Sequence, residues 1–186
     1  DVVITITGTN DVVSITSAPQ SGSLVEDAPV SLATGTVSFT DADLADLHAT
    51  SFAAAEGNST TLGAFALAAP NEAANAAAGS VGWTYTLNNA AAQYLAVGQS
   101  VSETYTVTVA DGHGSTAVQD VVITITGTND VVSITSDPQS GSLVEDAPIS
   151  SATGTVSFTD ADLADLHSSS FAAAEGNSTT LGAFAL

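Results

Sequence analysis

Asp41, Asp43 and Asp46 crowd three carboxylates into the six residues that follow the run Gly-Thr-Val-Ser-Phe-Thr at 35–40. The same set returns as Asp160, Asp162 and Asp165. Carboxylates this close repel one another unless a cation sits among them, and Ca²⁺ takes about six to eight such hard oxygen ligands. The D-x-D-x-x-D spacing is not an EF-hand, because the loop has no glycine at its sixth position and no glutamate at its twelfth. Taken alone it fits a metal site or a solvated acidic loop equally well. Its recurrence beside Glu26-Asp27 and the Asn-Asp pairs at 10–11 and 129–130 favours the metal.

Other chemistry-bearing residues have blander readings. His48, His113 and His167 are not spaced as a metal cluster, and His113 reads as a turn residue. Asp111 near His113 suggests acid–base work, but no nucleophile or oxyanion-stabilising group is evident around them. Glu56, Glu72 and Glu103 contain the makings of a glycosidase carboxylate pair, yet nothing fixes their separation, and solvated surface acids account for them better. Trp83, Tyr85, Phe39 and Phe52 read as core. No catalytic set emerges, and the chain reads as a non-enzyme.

Composition narrows the partners. The chain has no Lys and no Arg against 20 Asp plus Glu, a formal charge of −20. Without cations it cannot neutralise phosphates, which excludes nucleic acid, and it has no attraction for anionic lipid headgroups. Only 11% of residues are charged and 44% are hydrophobic, so this is not a disordered acidic tail. With no internal base, solvent cations must balance the carboxylates, and divalent ones fit best. There is no cysteine to form a disulfide. No apolar run approaches the roughly 18 residues of a membrane helix, and no signal-peptide pattern opens the chain. Both absences fit an internal piece of a longer protein.

The elements that must hold these carboxylates are strands. Val121, Ile123 and Ile125 alternate with Val122, Thr124 and Thr126, and Tyr105, Val107 and Val109 alternate with Thr104, Thr106 and Thr108. Asp-Gly-His-Gly at 111–114 joins the two runs as an antiparallel hairpin. Further strands are expected at 12–16, 35–40, 51–55, 62–67 and 83–87, about seven in all, the number of an immunoglobulin-like sandwich. Two Ala-rich stretches interrupt the β pattern. Residues 88–96 read as a short helical turn between sheets with Tyr94 and Leu95 inward, and residues 71–78 as a surface loop.

The chain also repeats itself. Residues 1–67 return as 120–186, a period of 119, and differ only at Ala18/Asp137, Val30/Ile149, Leu32/Ser151, Ala49/Ser168 and Thr50/Ser169. That period is too long for a solenoid rung and is the size of a β-sandwich domain. Repeat phase makes residues 1–10 the last strand of a preceding repeat, 11–129 one complete repeat and 130–186 the first half of a following one. The expected architecture is a linear tandem array of all-β, immunoglobulin- or cadherin-like sandwiches. Gly-Thr-Asn-Asp at 127–130 is too short for a floppy tether, so adjacent domains should meet end to end.

Val-Glu-Asp-Ala-Pro at 25–29, followed by Gly-Thr-Val-Ser-Phe-Thr-Asp-Ala-Asp at 35–43, resembles the cadherin pattern of an acidic residue before proline and an Asp-x-Asp strand end. With Trp-Thr-Tyr-Thr-Leu at 83–87, Glu-Thr-Tyr-Thr-Val-Thr-Val-Ala-Asp-Gly at 103–112 and Ile-Thr-Ile-Thr-Gly-Thr-Asn-Asp at 123–130, the unit is most similar to VCBS repeats, cadherin-like domains of very long secreted bacterial adhesins, often of the RTX type. The resemblance covers the whole 119-residue unit. It implies an extracellular, Ca²⁺-rigidified array at the bacterial cell surface. By cadherin geometry it implies a junction after the complete repeat made by Glu26 and Asp111, by Asn129 and Asp130, and by Asp160 and Asp162. The preceding junction would use Asn10, Asp11, Asp41 and Asp43, with Asp46 and Asp165 as ligands or neighbours. The chain departs from cadherins in lacking their longer Asp-rich linker and their acidic-Arg-Glu motif. For a bacterial source, the N-glycosylation pattern at Asn58-Ser-Thr60 and Asn177-Ser-Thr179 is an accidental match.

The function expected is that of a calcium-rigidified stalk or fibre repeat in an adhesin or biofilm matrix protein, whose partners are the neighbouring repeats. The alternative is a subunit of a self-assembling extracellular filament, completed by strands from other copies.

Overall fold

The computed structural model describes residues 1–176 and 181–186, so the second glycosylation pattern, Asn177-Ser-Thr179, lies outside the described residues. The elements run β1 (Ser14–Ile15), β2 (Gln20–Val25), β3 (Leu32–Thr40), β4 (Ala49–Ala54), β5 (Gly63–Leu67), β6 (Asn71–Glu72), β7 (Ala78–Leu87), α1 (Asn89–Ala92), β8 (Ser100–Ala110), β9 (Thr116–Thr126), β10 (Ser133–Ile134) and β11 (Phe158–Thr159). One sheet has the order β1-β3-β7-β5, with β6 also on β7; the other has the order β2-β9-β8-β4. That strand order, five strands facing a four-stranded sheet centred on the β8–β9 hairpin, is that of an immunoglobulin-like sandwich, and the fold is all-β as the alternation predicts.

The core follows from period-two alternation. Along β8, Glu103, Tyr105, Val107 and Val109 are buried while the threonines between them are half-buried. Val121, Ile123 and Ile125 of β9 face them from the next strand. The opposing sheet supplies Val37, Phe65, Val81, Trp83, Tyr85 and Leu87. Phe65 stacks on both Trp83 and Tyr105, joining the layers. Gly35 is needed where it stands, because a Cβ there would come within 2.5 Å of the Trp83 ring.

Two local expectations change. The stretch 71–78 is not a plain surface loop: Asn71 and Glu72 pair with Ser80 and Gly79 of β7 before the chain turns. A strand absent from the sequence reading, β2, pairs in parallel with β9 from Gln20↔Val121 to Val25↔Thr126. Its Gln-Ser-Gly-Ser-Leu-Val composition gives no β signal, and only Leu24 is buried. The helical turn is present as α1, followed by buried Leu95 and a half-buried Tyr94.

The expected array of sandwiches is, within this chain, one closed sandwich with incomplete flanks. Residues 1–10 form no paired strand and are exposed throughout, although their first seven repeat the end of the fully paired β9. Residues 130–186 correspond to 11–67 and hold no counterpart of β7, β8 or β9, so among the described residues only β10 and β11 pair there. Val37 is 0% exposed and its repeat-equivalent Val156 is 56% exposed. Strands here depend on their tertiary neighbours far more than on propensity.

Candidate metal centres

Acidic residues gather at the two ends of the closed sandwich. At the upstream end, β1 pairs with β3 as Ser14↔Thr40, which sets Asp11 beside the carboxylates that leave β3. The Asp11 N–H donates to Asp43 Oδ2 at 2.6 Å. The Asp43 N–H donates in turn to Asp41 Oδ1 at 3.0 Å, an Asx turn that aims the Asp41 carboxylate inward. The β8–β9 turn delivers Asp111, whose Oδ1 accepts from the backbone N–H groups of His113 and Ser115 at 2.8 and 3.0 Å. Asn10 Nδ2 donates to Asp111 Oδ2 at 3.0 Å. The Asn10 amide and the turn N–H groups hold the Asp111 carboxyl down to about 2.

Asp41, Asp46 and Asp111 each place a carboxylate oxygen within 4.8 Å of the others. Asp41 and Asp111 are buried and Asp46 is half-buried. Asp46 Oδ2 lies 3.0 Å from His113 Nδ1, so His113 is a neighbour of the cluster as well as a turn residue. Three carboxylates at this spacing can share one hard cation.

The downstream end holds the second set. Because β2 runs parallel to β9 and ends opposite Thr126, Glu26 emerges against the exit of the sandwich. Glu26 is 1% exposed, and its Oε2 accepts from the Thr128 N–H at 3.4 Å. Two amides from α1 and its flank orient this corner. Gln93 Nε2 donates to Glu26 Oε1 at 2.7 Å, and Asn89 Nδ2 donates to Asp27 Oδ1 at 2.6 Å. Asn129 Nδ2 bonds the Asp130 carbonyl at 2.5 Å. The Asp130 N–H donates to Asp162 Oδ2 at 2.8 Å, and the Asp162 N–H donates to Asp160 Oδ1 at 3.1 Å. Asp130 Oδ2 and Asp162 Oδ1 are buried side-chain oxygens without a hydrogen-bond partner among the described residues. Burial and the nearby Asp130, Asp27 and Asp162 push the Glu26 carboxyl up. Burial and the nearby Asp162, Asp27 and Asp160 raise Asp130 likewise.

Asp111 is therefore at the other end of the sandwich from the junction expected for it. It closes the β8–β9 turn beside Asp41, whereas Glu26 leaves β2 beside the 127–130 linker. Asp165, placed like Asp46 by a backbone bond from its N–H to the Asp162 carbonyl, makes no side-chain hydrogen bond to the downstream set among the described residues. The reading of Glu103 and Glu72 as solvated surface acids is also corrected. Glu103 is 0% exposed and accepts from Thr60 Oγ1, the Leu62 N–H, Tyr85 Oη and Tyr105 Oη. Glu72 is bonded to His48. Asn58 does not hang free either: it exchanges hydrogen bonds with the Thr104 backbone at 3.0 and 2.8 Å.

The residues missed at the downstream corner are Asn89 and Gln93, which bond Asp27 and Glu26. Their only sequence signal is the four-residue spacing of Asn89 and Gln93 on one helical face. One further contact crosses the junction, from the Leu163 N–H to the Tyr94 carbonyl at 3.4 Å.

No protein-family model and no curated protein sequence matches the chain. Among solved structures, it is similar to the ASH / PapD-like domain 7 of human CEP192, at 9% identity over 68% of this chain and 93% of that one, with a TM-score of 0.38. It is also similar to the secreted serine protease VesC from Vibrio cholerae, at 15% identity over 55% of this chain, with a TM-score of 0.32. The chain covers 21% of the VesC chain. At TM-scores this low neither likeness bears on the function, and the fold rests on the strand order itself.

Proposed function

We propose that the chain is a non-catalytic, VCBS/cadherin-like repeat of an extracellular bacterial adhesin or matrix protein, in which Ca²⁺ at the domain junctions turns a string of sandwiches into a rod. The observation that carries this reading is the pair of buried, unpartnered oxygens on Asp130 and Asp162. Leaving an ionised carboxylate oxygen buried and unpaired is costly. No Lys or Arg exists in the chain to pair with it. A hard divalent cation from solvent supplies what the side chains cannot.

Repeat phase extends the argument. Asn10 and Asp11 correspond to Asn129 and Asp130, and Asp41, Asp43 and Asp46 correspond to Asp160, Asp162 and Asp165. The upstream end of the closed sandwich lacks a preceding Glu26, and the downstream end lacks a following Asp111. A junction between two complete repeats combines both half-views. The Glu26–Asp130–Asp162 set lies above and the Asp41–Asp46–Asp111 set below, with the Asn-Asp linker bonded to both. Such a junction offers two separate carboxylate sets to cations. An ion in the first set cross-links groups from both domains, an ion in the second braces the end of the downstream domain, and the Leu163–Tyr94 contact lies beside the junction.

The test is a chain of three complete repeats, melted and measured by small-angle scattering in millimolar Ca²⁺ and in chelator. The expected result is a higher melting temperature with Ca²⁺ and a change from flexible to rod-like scattering. No response in either signal would overturn the junction-site reading.

A further inference from the structure

His48 belongs to neither carboxylate set, yet its ring links one of them to a distant strand. The imidazole side chain is 5% exposed and lies on Phe39, ring centroids 4.7 Å apart. Its Nε2 is 3.2 Å from Asp41 Oδ2 and its Nδ1 is 2.8 Å from Glu72 Oε2. The His48 backbone N–H also donates to Glu72 Oε1 at 2.9 Å, so Glu72 holds both ends of the residue. Glu72 is itself seated by β6, which pairs it with Gly79.

The contact occurs twice. Residues 39–48 and 158–167 are identical, and His167 Nε2 lies 2.8 Å from Asp160 Oδ2 with its ring on Phe158. In the second copy the sandwich is open and no counterpart of Glu72 is present. The histidine therefore meets its aspartate without help from the closed core. Glu72 adds a second anchor, and the His48 ring is more enclosed than that of His167, whose side chain is 30% exposed.

Resting on the calcium reading above, we propose that His48 is a positioning residue for the upstream cation site. Its Nε2–H fixes Asp41 Oδ2 while Glu72 fixes the ring. Asp41 then has one hydrogen bond on each oxygen, from His48 on Oδ2 and from the Asp43 N–H on Oδ1. Its remaining lone pairs are held in a set direction toward Asp46 and Asp111. Partners that orient a ligand carboxylate in this way typically govern metal affinity by about 10–100-fold.

The experiment compares the wild-type chain with H48F, H48Q and E72Q at one fixed pH. Ca²⁺ affinity is read by calorimetry and the metal-free melting temperature in chelator. Phe keeps the packing on Phe39 but has no donor, whereas Gln keeps a donor at the reach of Nε2 without the ring. H48F should weaken Ca²⁺ binding by about tenfold or more, with H48Q much closer to wild type and E72Q between them. The metal-free melting temperature should not follow that order. H48F binding as tightly as wild type, or H48Q weakened as much as H48F, would overturn the role. If H48F does not fold, H48Q and E72Q decide together: E72Q weakened with H48Q near wild type supports the role, and E72Q binding as tightly as wild type, or a tenfold loss in H48Q, overturns it. A wild-type chain that takes up no Ca²⁺ would overturn the calcium reading and this role together; binding unchanged in every variant overturns this role alone.

Discussion

The Asp130 N–H reaches Asp162 Oδ2 at 2.8 Å, and beside this bond between linker and downstream loop Asp130 Oδ2 and Asp162 Oδ1 are buried without a hydrogen-bond partner among the described residues. Each carboxylate is held by its backbone in a place it would leave if it were free to reach water. Replacing Asp162 with Asn removes one of the opposed charges while keeping the shape. Asp162→Asn should raise the melting temperature measured in chelator and abolish most of the further rise produced by Ca²⁺. Thermal unfolding with and without the ion checks both signs; a variant that loses stability in chelator and keeps the full Ca²⁺ response would contradict the account.

Glu103 gathers four donors in the middle of the core and ties the 58–62 connection to the sandwich. Glu103→Ala strands both tyrosine hydroxyls and the Leu62 N–H and opens a cavity. The expected loss is about 3 kcal/mol or more. Chemical denaturation measures it, and a loss below about 1 kcal/mol would show that the network contributes little.

The same network sets an alkaline limit. Burial pushes Tyr85 and Tyr105 well above the ordinary tyrosine value, and the Glu103 carboxylate beside each hydroxyl pushes further in the same direction. A folded-state value above the unfolded one gives stability that is complete below the unfolded pKa of about 10 and falls away as pH rises beyond it. The chain has no Lys, Arg or Cys to titrate in that range. Stability should therefore fall above about pH 10, and the double variant Tyr85→Phe, Tyr105→Phe should flatten that limb. Denaturation at several pH values reads the slope; an unchanged limb in the double variant would refute the assignment.

Gly127 begins the linker in close contact with the Leu95 backbone, where a Cβ would collide with the Leu95 carbonyl. Gly127→Ala should cost about 2 kcal/mol or more through that clash. Gly82→Ala is the control, since its nearest neighbour would be the Ala68 Cβ at 3.7 Å, and should stay within about 0.5 kcal/mol once strand propensity is allowed for.

Much of the sandwich was legible in the alternation of β8 and β9, because both strands bury one complete face. The same alternation carried Glu103, which sits two residues before Tyr105 and in phase with the buried valines. Its charge suggested the surface, although it stands in phase with the core face. Phase prevailed because two tyrosine hydroxyls were available to meet it. The strand β2 was not legible, since Ser and Gly fill its pattern and its parallel partner is about a hundred residues away in sequence. For the same reason Asp111 was assigned to the wrong end: which end of the sandwich a turn occupies depends on strand direction and not on spacing. The Glu72–His48–Asp41 chain joins the β3–β4 connection to β6, and no local pattern encodes the Glu72 contact. The two copies make the dependence on context plain, because Phe39 is 1% exposed and Phe158, in an identical ten-residue segment, is 48% exposed.

The central claim is that the acidic ends are cation sites. It is tested most directly by calorimetric titration of the metal-free 186-residue chain with Ca²⁺, with Mg²⁺ as the comparison. The account predicts saturable Ca²⁺ binding that is weakened by Asp162→Asn at one end and by Asp111→Asn at the other. Absence of saturable binding, or binding indifferent to both substitutions, would contradict it.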